Sequence, residues 1–221
     1  MIEAREAWNT LHAAGILHAV WEAHEATTRT VFGALSRAEG FKERSFGYTA
    51  FDVLESRLDQ VFGVGTAEPL AVRDDLNGSP GWRHGPYRLL LRRYDLGAID
   101  EIRWDKASPT KQAVAKQQFA EDPQLALDLG TPLRPATPDP VTLVLAHSAS
   151  EEPLELELFL GRPRFNDDGG RPWHWRSQVD RAALGPDPRR AVEPTEPLWS
   201  DEEIPVPLRL RDRAAGSAET A

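Results

Sequence analysis

The sequence predicts an α+β protein in which an N-terminal layer of about three helices packs against antiparallel β hairpins. Two observations lead to this fold class. In residues 1–63 the apolar side chains recur with the 3.6-residue period of helices. From Tyr87 onward, several short segments alternate apolar and polar residues with the period of strands.

Four regions are predicted along the chain. They are a helical region (1–63), a loop with a basic hairpin and a short helix (64–122), a region of antiparallel strands (141–211) and a disordered tail (212–221). The second and third regions are joined by a proline-rich linker that ends at Pro140, because proline fits neither a helix interior nor a central strand.

The helical region is predicted to hold three helices with short connections. They are Glu3–Ala14, Ile16 to about Ala38, and a third helix with Thr49 as its N-cap that stops at Gly63. Gly15 stands where a left-handed C-terminal cap would end the first helix, and Gly40 follows the second. Residues 42–48 are then a connecting loop.

The middle of the chain predicts a turn, a hairpin and a helix. Residues 77–81 are a dense turn signal. Tyr87–Tyr94 alternates as a half-buried strand, and Ile99–Trp104 is predicted to return antiparallel to it. Ser108 and Pro109 fit the N-cap and first position of a helix that runs to about Phe119.

The back half predicts antiparallel strands. They are Val141–His147, Leu154–Leu160 with its leucines facing inward, Trp173–Val179 with both tryptophans inward, and a proline-containing edge strand at Ile204–Leu210. Residues 166–170 form a turn between the second and third of these strands.

Composition sets limits on location and chemistry. The net charge is −9 and there is no cysteine, which excludes disulfides and thiolate chemistry. The charged N-terminus is not that of a secretory signal, and no apolar run approaches the roughly 18 residues of a spanning helix. We therefore expect a cytoplasmic protein with no membrane contact. The excess of arginine over lysine, with abundant alanine and proline, is typical of a high-GC bacterial coding sequence.

One stretch, residues 82–116, carries charge of the opposite sign, with eight basic and four acidic side chains. Guanidinium groups suit phosphates and carboxylates, and aromatic rings offer stacking surfaces. This composition predicts a non-catalytic binding or accessory protein that contacts nucleic acid or an acidic partner protein and needs no cofactor. The expected contact residues are Arg83, Arg88, Arg92, Arg93, Tyr94, Arg103, Lys106 and Lys111. The four acidic residues of the stretch could instead neutralise these arginines locally.

Two alternatives remain open at this stage. His18, Glu22 and Glu25, with Asp52 and Glu55, could form the metal site of a hydrolase or nuclease on the N-terminal helices. The spacing is not that of the usual Glu-x-x-His motif, however, and ordinary ion pairs along the helix surface explain Glu22 and Glu25 more simply. The second alternative is that the chain is a structural subunit of a larger assembly. The sequence has no nucleotide-binding loop, nucleophile elbow or zinc-protease motif that would specify a reaction.

Overall fold

The computed structural model describes residues 4–106, 108–118, 139–151 and 153–190. The helices are α1 (Ala4–Ala13), α2 (Ile16–Ala34), α3 (Glu43–Val61), α4 (Pro109–Lys116) and α5 (Arg181–Leu184), with short 3-10 helices at Arg37–Glu39 and Pro188–Arg190. The strands are β1 (Val72–Arg73), β2 (Gly81–His84), β3 (Tyr87–Arg93), β4 (Val141–Ser150), β5 (Glu155–Pro163) and β6 (Trp173–Gln178). The predicted α+β class is confirmed.

The six strands form one sheet in chain order, from β1 to β6. All neighbouring pairs are antiparallel except β3 and β4, which run parallel with Arg93 opposite His147. A parallel pair needs a crossover connection, and α4 lies within the one that joins these two strands.

The predicted return strand Ile99–Trp104 is wrong. Strand β3 pairs instead with β2 and β4, so both of its edges are already occupied. Residues 99–104 have turns and bends, and Ile99, Ile102 and Trp104 are buried. The physical reason lies in β3, which was predicted to be half-buried but is apolar on both faces and therefore needs a cover on each side.

Each face of the sheet has its own apolar core. Leu89 and Leu91 of β3 pack with the three N-terminal helices on one face. Leu90 packs on the other face with Trp104 and with Val114 of α4. The helical layer therefore covers one face, and an irregular segment with α4 covers the other.

The start of α3 differs from the prediction. The helix begins at Glu43 and not after Thr49, so the predicted loop at residues 42–48 is wrong. Phe46 is buried with its ring centroid 5.6 Å from that of Phe32, and this contact holds the extra turn against α2. The second helix correspondingly ends at Ala34, earlier than predicted, and a 3-10 helix leads to Gly40.

The remaining predicted elements within the described residues are confirmed with small changes. Proline 109 begins α4 after Ser108, and a tight turn with positive φ angles at Asn77 and Gly78 precedes β2. The strand β6 differs in one respect: Trp173 packs on the α4 side, whereas Trp175 packs on the side of the N-terminal helices. A register shift at Arg162/Pro163 separates the two rings.

Leu154 is also exposed, contrary to its predicted inward position. The predicted strand at residues 204–210, the tail at 212–221 and most of the proline-rich linker lie outside the described residues. In the described part of the chain, no helix has the length and apolar character needed to cross a membrane.

Candidate binding groove

Two of the predicted contact residues, Arg83 in β2 and Arg88 near the start of β3, lie beside one carboxylate. Arg88 donates two hydrogen bonds to Asp74, at 2.9 and 3.0 Å. The guanidinium of Arg83 lies 3.9 Å from the same carboxylate. The Arg88 side chain is only 12% exposed, so it is chiefly part of the fold.

Arg92 and Arg103 are also engaged by neighbouring residues. The guanidinium carbon of Arg92 lies 4.9 Å above the centre of the Trp104 ring, and burial lowers the pKa of Arg92. Arg103 binds both carboxylate oxygens of Asp105, at 2.8 and 2.7 Å. Substitution of Arg88 or Arg92 would therefore disturb packing as well as charge.

Three other predicted residues come together where β3 ends. Arg93, Tyr94 and Lys111 line an open groove with a volume of about 650 Å³. The Tyr94 hydroxyl donates a 2.8 Å hydrogen bond to Glu157, and burial together with this bond raises the pKa of Tyr94. Lys106, the eighth predicted residue, is exposed and is not among the groove residues.

The opposite wall of the groove is formed by α3. Arg44, Tyr48 and Phe51 lie there at helical spacings of four and three residues, so they share one face. Tyr48 is 60% exposed, and the Arg44 guanidinium carbon lies 5.1 Å from its ring centre. The groove thus combines an exposed aromatic ring with a cation one helical turn away.

Arg93 is positioned by a glycine in the middle of α3. A Cβ atom on Gly47 would lie 2.2 Å from Nη1 of Arg93, so the guanidinium rests directly against the helix backbone. Glycine inside a helix costs about 1 kcal/mol relative to alanine. The close approach of Arg93 accounts for its presence here.

The charges of the groove are only partly balanced. Arg93 donates a 2.7 Å hydrogen bond to Glu43, which also accepts one from Arg37 at 2.8 Å. The hydrogen bond from Arg37 and the charge of Arg93 hold the pKa of Glu43 below its ordinary value. Within the described residues, Arg44 and Lys111 form no ion pair.

Lys111 is partly withdrawn from water. Burial, and secondly the positive charge of Arg92, lower its pKa. An anion that entered the groove would favour the charged form of this lysine, because opposite charges at close range stabilise each other.

The residues of the alternative metal hypothesis do not converge. His18 packs its ring on that of His12, with centroids 5.3 Å apart, and Asp52 is exposed. The three glutamates are bound to arginines, in the pairs Glu22–Arg190, Glu25–Arg29 and Glu55–Arg73. Among the residues that the structure describes, no group of three or more His, Cys, Asp or Glu side chains is close enough to hold a metal ion.

The sequence interpretation missed the α3 wall. Arg44, Tyr48 and Phe51 carry the signal in their spacing, but a helix start at Thr49 removed Arg44 and Tyr48 from the helix. Gly47 obscured the pattern, since glycine is usually a helix breaker.

Comparison with known proteins gives no relative for this groove. No family model matches the chain, and neither a curated protein nor a solved structure matches it.

Proposed function

We propose that this chain is a non-catalytic bacterial accessory protein of the cytoplasm that binds an acidic segment of a partner protein in the groove between α3, the end of β3 and α4. The observation that carries the proposal is the set of cations around this space. Arg44 and Lys111 have no ion pair in the described structure, and Arg93 is held between them by an exposed glutamate. The absence of cysteine suits a reducing compartment.

The number of available cations favours a short acidic segment over nucleic acid. Affinity for nucleic acid grows with the number of phosphates that the protein neutralises. Most of the arginines predicted to contact phosphate are bound to carboxylates or packed on a ring, which leaves few for a phosphate backbone. The net charge of −9 also repels a long polyanion more strongly than a peptide with two or three carboxylates.

The groove also offers apolar surface to an anchoring side chain. Tyr48 is exposed and Phe51 is partly buried beside it. A large apolar or aromatic residue of the partner segment would contact these rings while its carboxylates reach Arg44 and Lys111. Such an anchor with a charged surround is the usual anatomy of a short-peptide site.

The direct test uses two probes of equal charge. A short peptide with three glutamates around one tyrosine, and a short oligothymidylate with three phosphates, would each be titrated into the labelled protein and followed by NMR chemical shifts. We expect the peptide to shift resonances of residues 44–51 and 93–95, and to bind more tightly than the oligonucleotide.

A charge-matched pair of double variants locates the site. Arg44→Ala/Lys111→Ala should weaken peptide binding about 30-fold, because it removes two charge-assisted contacts of about 1 kcal/mol each. Arg103→Ala/Lys106→Ala removes the same charge away from the groove and should change binding less than about two-fold, through general electrostatics alone. An equal loss of peptide affinity in both double variants would contradict a site in the groove. Tighter binding of the oligonucleotide than of the peptide would favour the nucleic-acid hypothesis.

A further inference from the structure

A second, smaller cavity lies beside the groove, between α2, α3 and β4. Its volume is about 20 Å³, and it shares Glu43, Gly47 and Arg93 with the groove. The side chains of His24, Thr27 and His147 also line it, and each is no more than 3% exposed. The cavity is therefore lined by both apolar and polar side chains, and these three polar side chains lie in its buried part.

Three buried polar atoms of this lining have no hydrogen-bond partner among the described residues. They are Nδ1 of His24, Oγ1 of Thr27 and Nε2 of His147. Thr27 follows His24 by three residues, so both face the same side of α2. The ring centroids of the two histidines are 5.4 Å apart.

The contacts of His24 fix its hydrogen-bonding role. Its Nε2 lies 3.2 Å from the carbonyl oxygen of Ser148, which can only accept, so Nε2 carries the hydrogen. Nδ1 of the neutral ring is then an acceptor that lacks a donor. A hydroxyl such as that of Thr27 can donate or accept.

Polar atoms buried in this way are nearly always paired with protein or with ordered water. A cavity of about 10–15 Å³ is enough for one water molecule, provided that it offers two to four polar partners. The present cavity meets both conditions, with about 20 Å³ and three such atoms.

We propose that this cavity is an internal binding site for one water molecule, which donates a hydrogen bond to Nδ1 of His24 and bonds to Oγ1 of Thr27 and Nε2 of His147. The water links α2 to β4 immediately behind Arg93, because Arg93 and His147 are opposite each other in the sheet. It thereby supports the inner wall of the groove. This site does not depend on what the groove binds.

The first test is direct observation. A high-resolution crystal structure of the full chain should show one water oxygen within hydrogen-bonding distance of all three atoms. A different species at this position, or histidine and threonine side chains satisfied by protein atoms, would overturn the proposal.

The second test uses the sign of a stability change. Thr27→Val keeps the shape of the side chain and replaces its hydroxyl with a methyl group. If the hydroxyl binds the water, the equilibrium constant for unfolding should rise about five-fold, which corresponds to the loss of about one hydrogen bond. If the hydroxyl has no partner, its removal relieves an unpaired buried polar group, and the variant would be as stable as the wild type or more so.

Thr28→Val is the matched control. The Thr28 hydroxyl donates to the carbonyl of His24 in its own helix, at 3.0 Å, and that carbonyl also accepts a helix bond. Its loss should change the unfolding constant by less than about two-fold, since the bond is redundant. An unchanged or lower unfolding constant in Thr27→Val, measured beside this control, would refute the water site.

Discussion

At the start of β3, Arg88 is 12% exposed and binds both oxygens of Asp74, a carboxylate that is itself only 22% exposed. At the end of the same strand, Arg93 binds one oxygen of Glu43, which is 59% exposed. The Arg88–Asp74 pair is shielded from solvent and bidentate, whereas the Arg93–Glu43 pair faces an open groove. Two arginines five positions apart on one strand therefore have different roles.

The difference shows that a local count of charges does not identify a binding surface. A guanidinium that is hydrogen-bonded to both oxygens of a shielded carboxylate is not available to a ligand, because separating the pair would leave two poorly hydrated charges. A guanidinium that shares an exposed carboxylate can exchange it for another anion at little cost, since exposed ion pairs contribute about 0–1 kcal/mol. The accessibility of the acidic partner is what distinguishes the two ends.

The largest effect on the free energy of unfolding is expected on acidification, because two buried histidines, His24 and His147, lie next to the end of β3 that lines the groove. Burial lowers the pKa of His24 from 6.5 to about 4, and the carbonyls of Ser148 and Glu157 offset this only in part. Burial, with the charges of His24 and Arg93, also lowers the pKa of His147. The unfolded chain then binds more protons, so stability present above pH 6.5 is lost as the pH falls toward 4.

For His24 alone this amounts to about 3 kcal/mol across that window, from about 1.4 kcal/mol for each pH unit. Urea unfolding at pH 7 and pH 5 measures about 2 kcal/mol of this loss, because the rest occurs below pH 5. A His24→Gln variant should show a flatter pH dependence. Asp187, whose pKa is lowered to about 2 chiefly by a hydrogen bond from Arg189, contributes only at lower pH. Equal stability at pH 7 and pH 5 would show that the groove end does not depend on neutral histidines.

The next effect concerns the start of β3. Asp74→Ala removes the carboxylate that holds Arg88 and leaves a largely buried guanidinium without this partner. We expect a loss of about 2 kcal/mol in the free energy of unfolding, below the 3–5 kcal/mol typical of fully buried pairs because Asp74 is partly exposed. Peptide binding in the groove should be unchanged. A loss of less than about 0.5 kcal/mol in the free energy of unfolding would show that the ion pairs at the two ends of β3 do not differ.

A smaller effect is expected from alanine in place of Gly47. The new Cβ would meet Nη1, Cζ and Nε of Arg93, so this flexible side chain must move out of its position. Stability should change by less than about 1 kcal/mol, because the helix gains from alanine what it loses in packing. Peptide affinity should fall several-fold.

Gly33→Ala is the control for that change. Gly33 lies in α2, and a Cβ there would have no atom within 4 Å. This variant should be up to about 1 kcal/mol more stable and bind the peptide normally. If Gly47→Ala also bound normally, the position of Arg93 would not matter for the groove.

The smallest change in stability is expected from Glu43→Ala, which tests the exposed pair directly. Loss of an exposed carboxylate should reduce the free energy of unfolding by no more than about 0.5–1 kcal/mol. The freed Arg93 should bind an acidic peptide more tightly, by several-fold. Weaker binding in this variant would mean that Glu43 holds Arg93 in its active position and does not compete with the ligand.

Local patterns were sufficient for much of the fold. The alternation in β3 correctly separated Leu89 and Leu91 from Leu90, and Ser108 with Pro109 marked the start of α4. Of the groove, the sequence indicated Arg93, Tyr94 and Lys111 through the charge reversal of residues 82–116. It could not indicate Arg44, since the helix that carries it was predicted to begin too late.

What the sequence determined by itself was the α+β class, most helix and strand positions, and the concentration of positive charge in the middle of the chain, because these depend on periodicity and composition over short distances. The tertiary structure alone decided the parallel pairing of β3 with β4, the use of residues 99–104 as a cover for the sheet, and the acidic partners of Arg88 and Arg93. These choices depend on contacts between residues far apart in the chain. Asp74 meets Arg88 and Glu43 meets Arg93 only after the sheet and α3 have assembled, and the exposure of each carboxylate there separates a structural arginine from one that can bind a ligand.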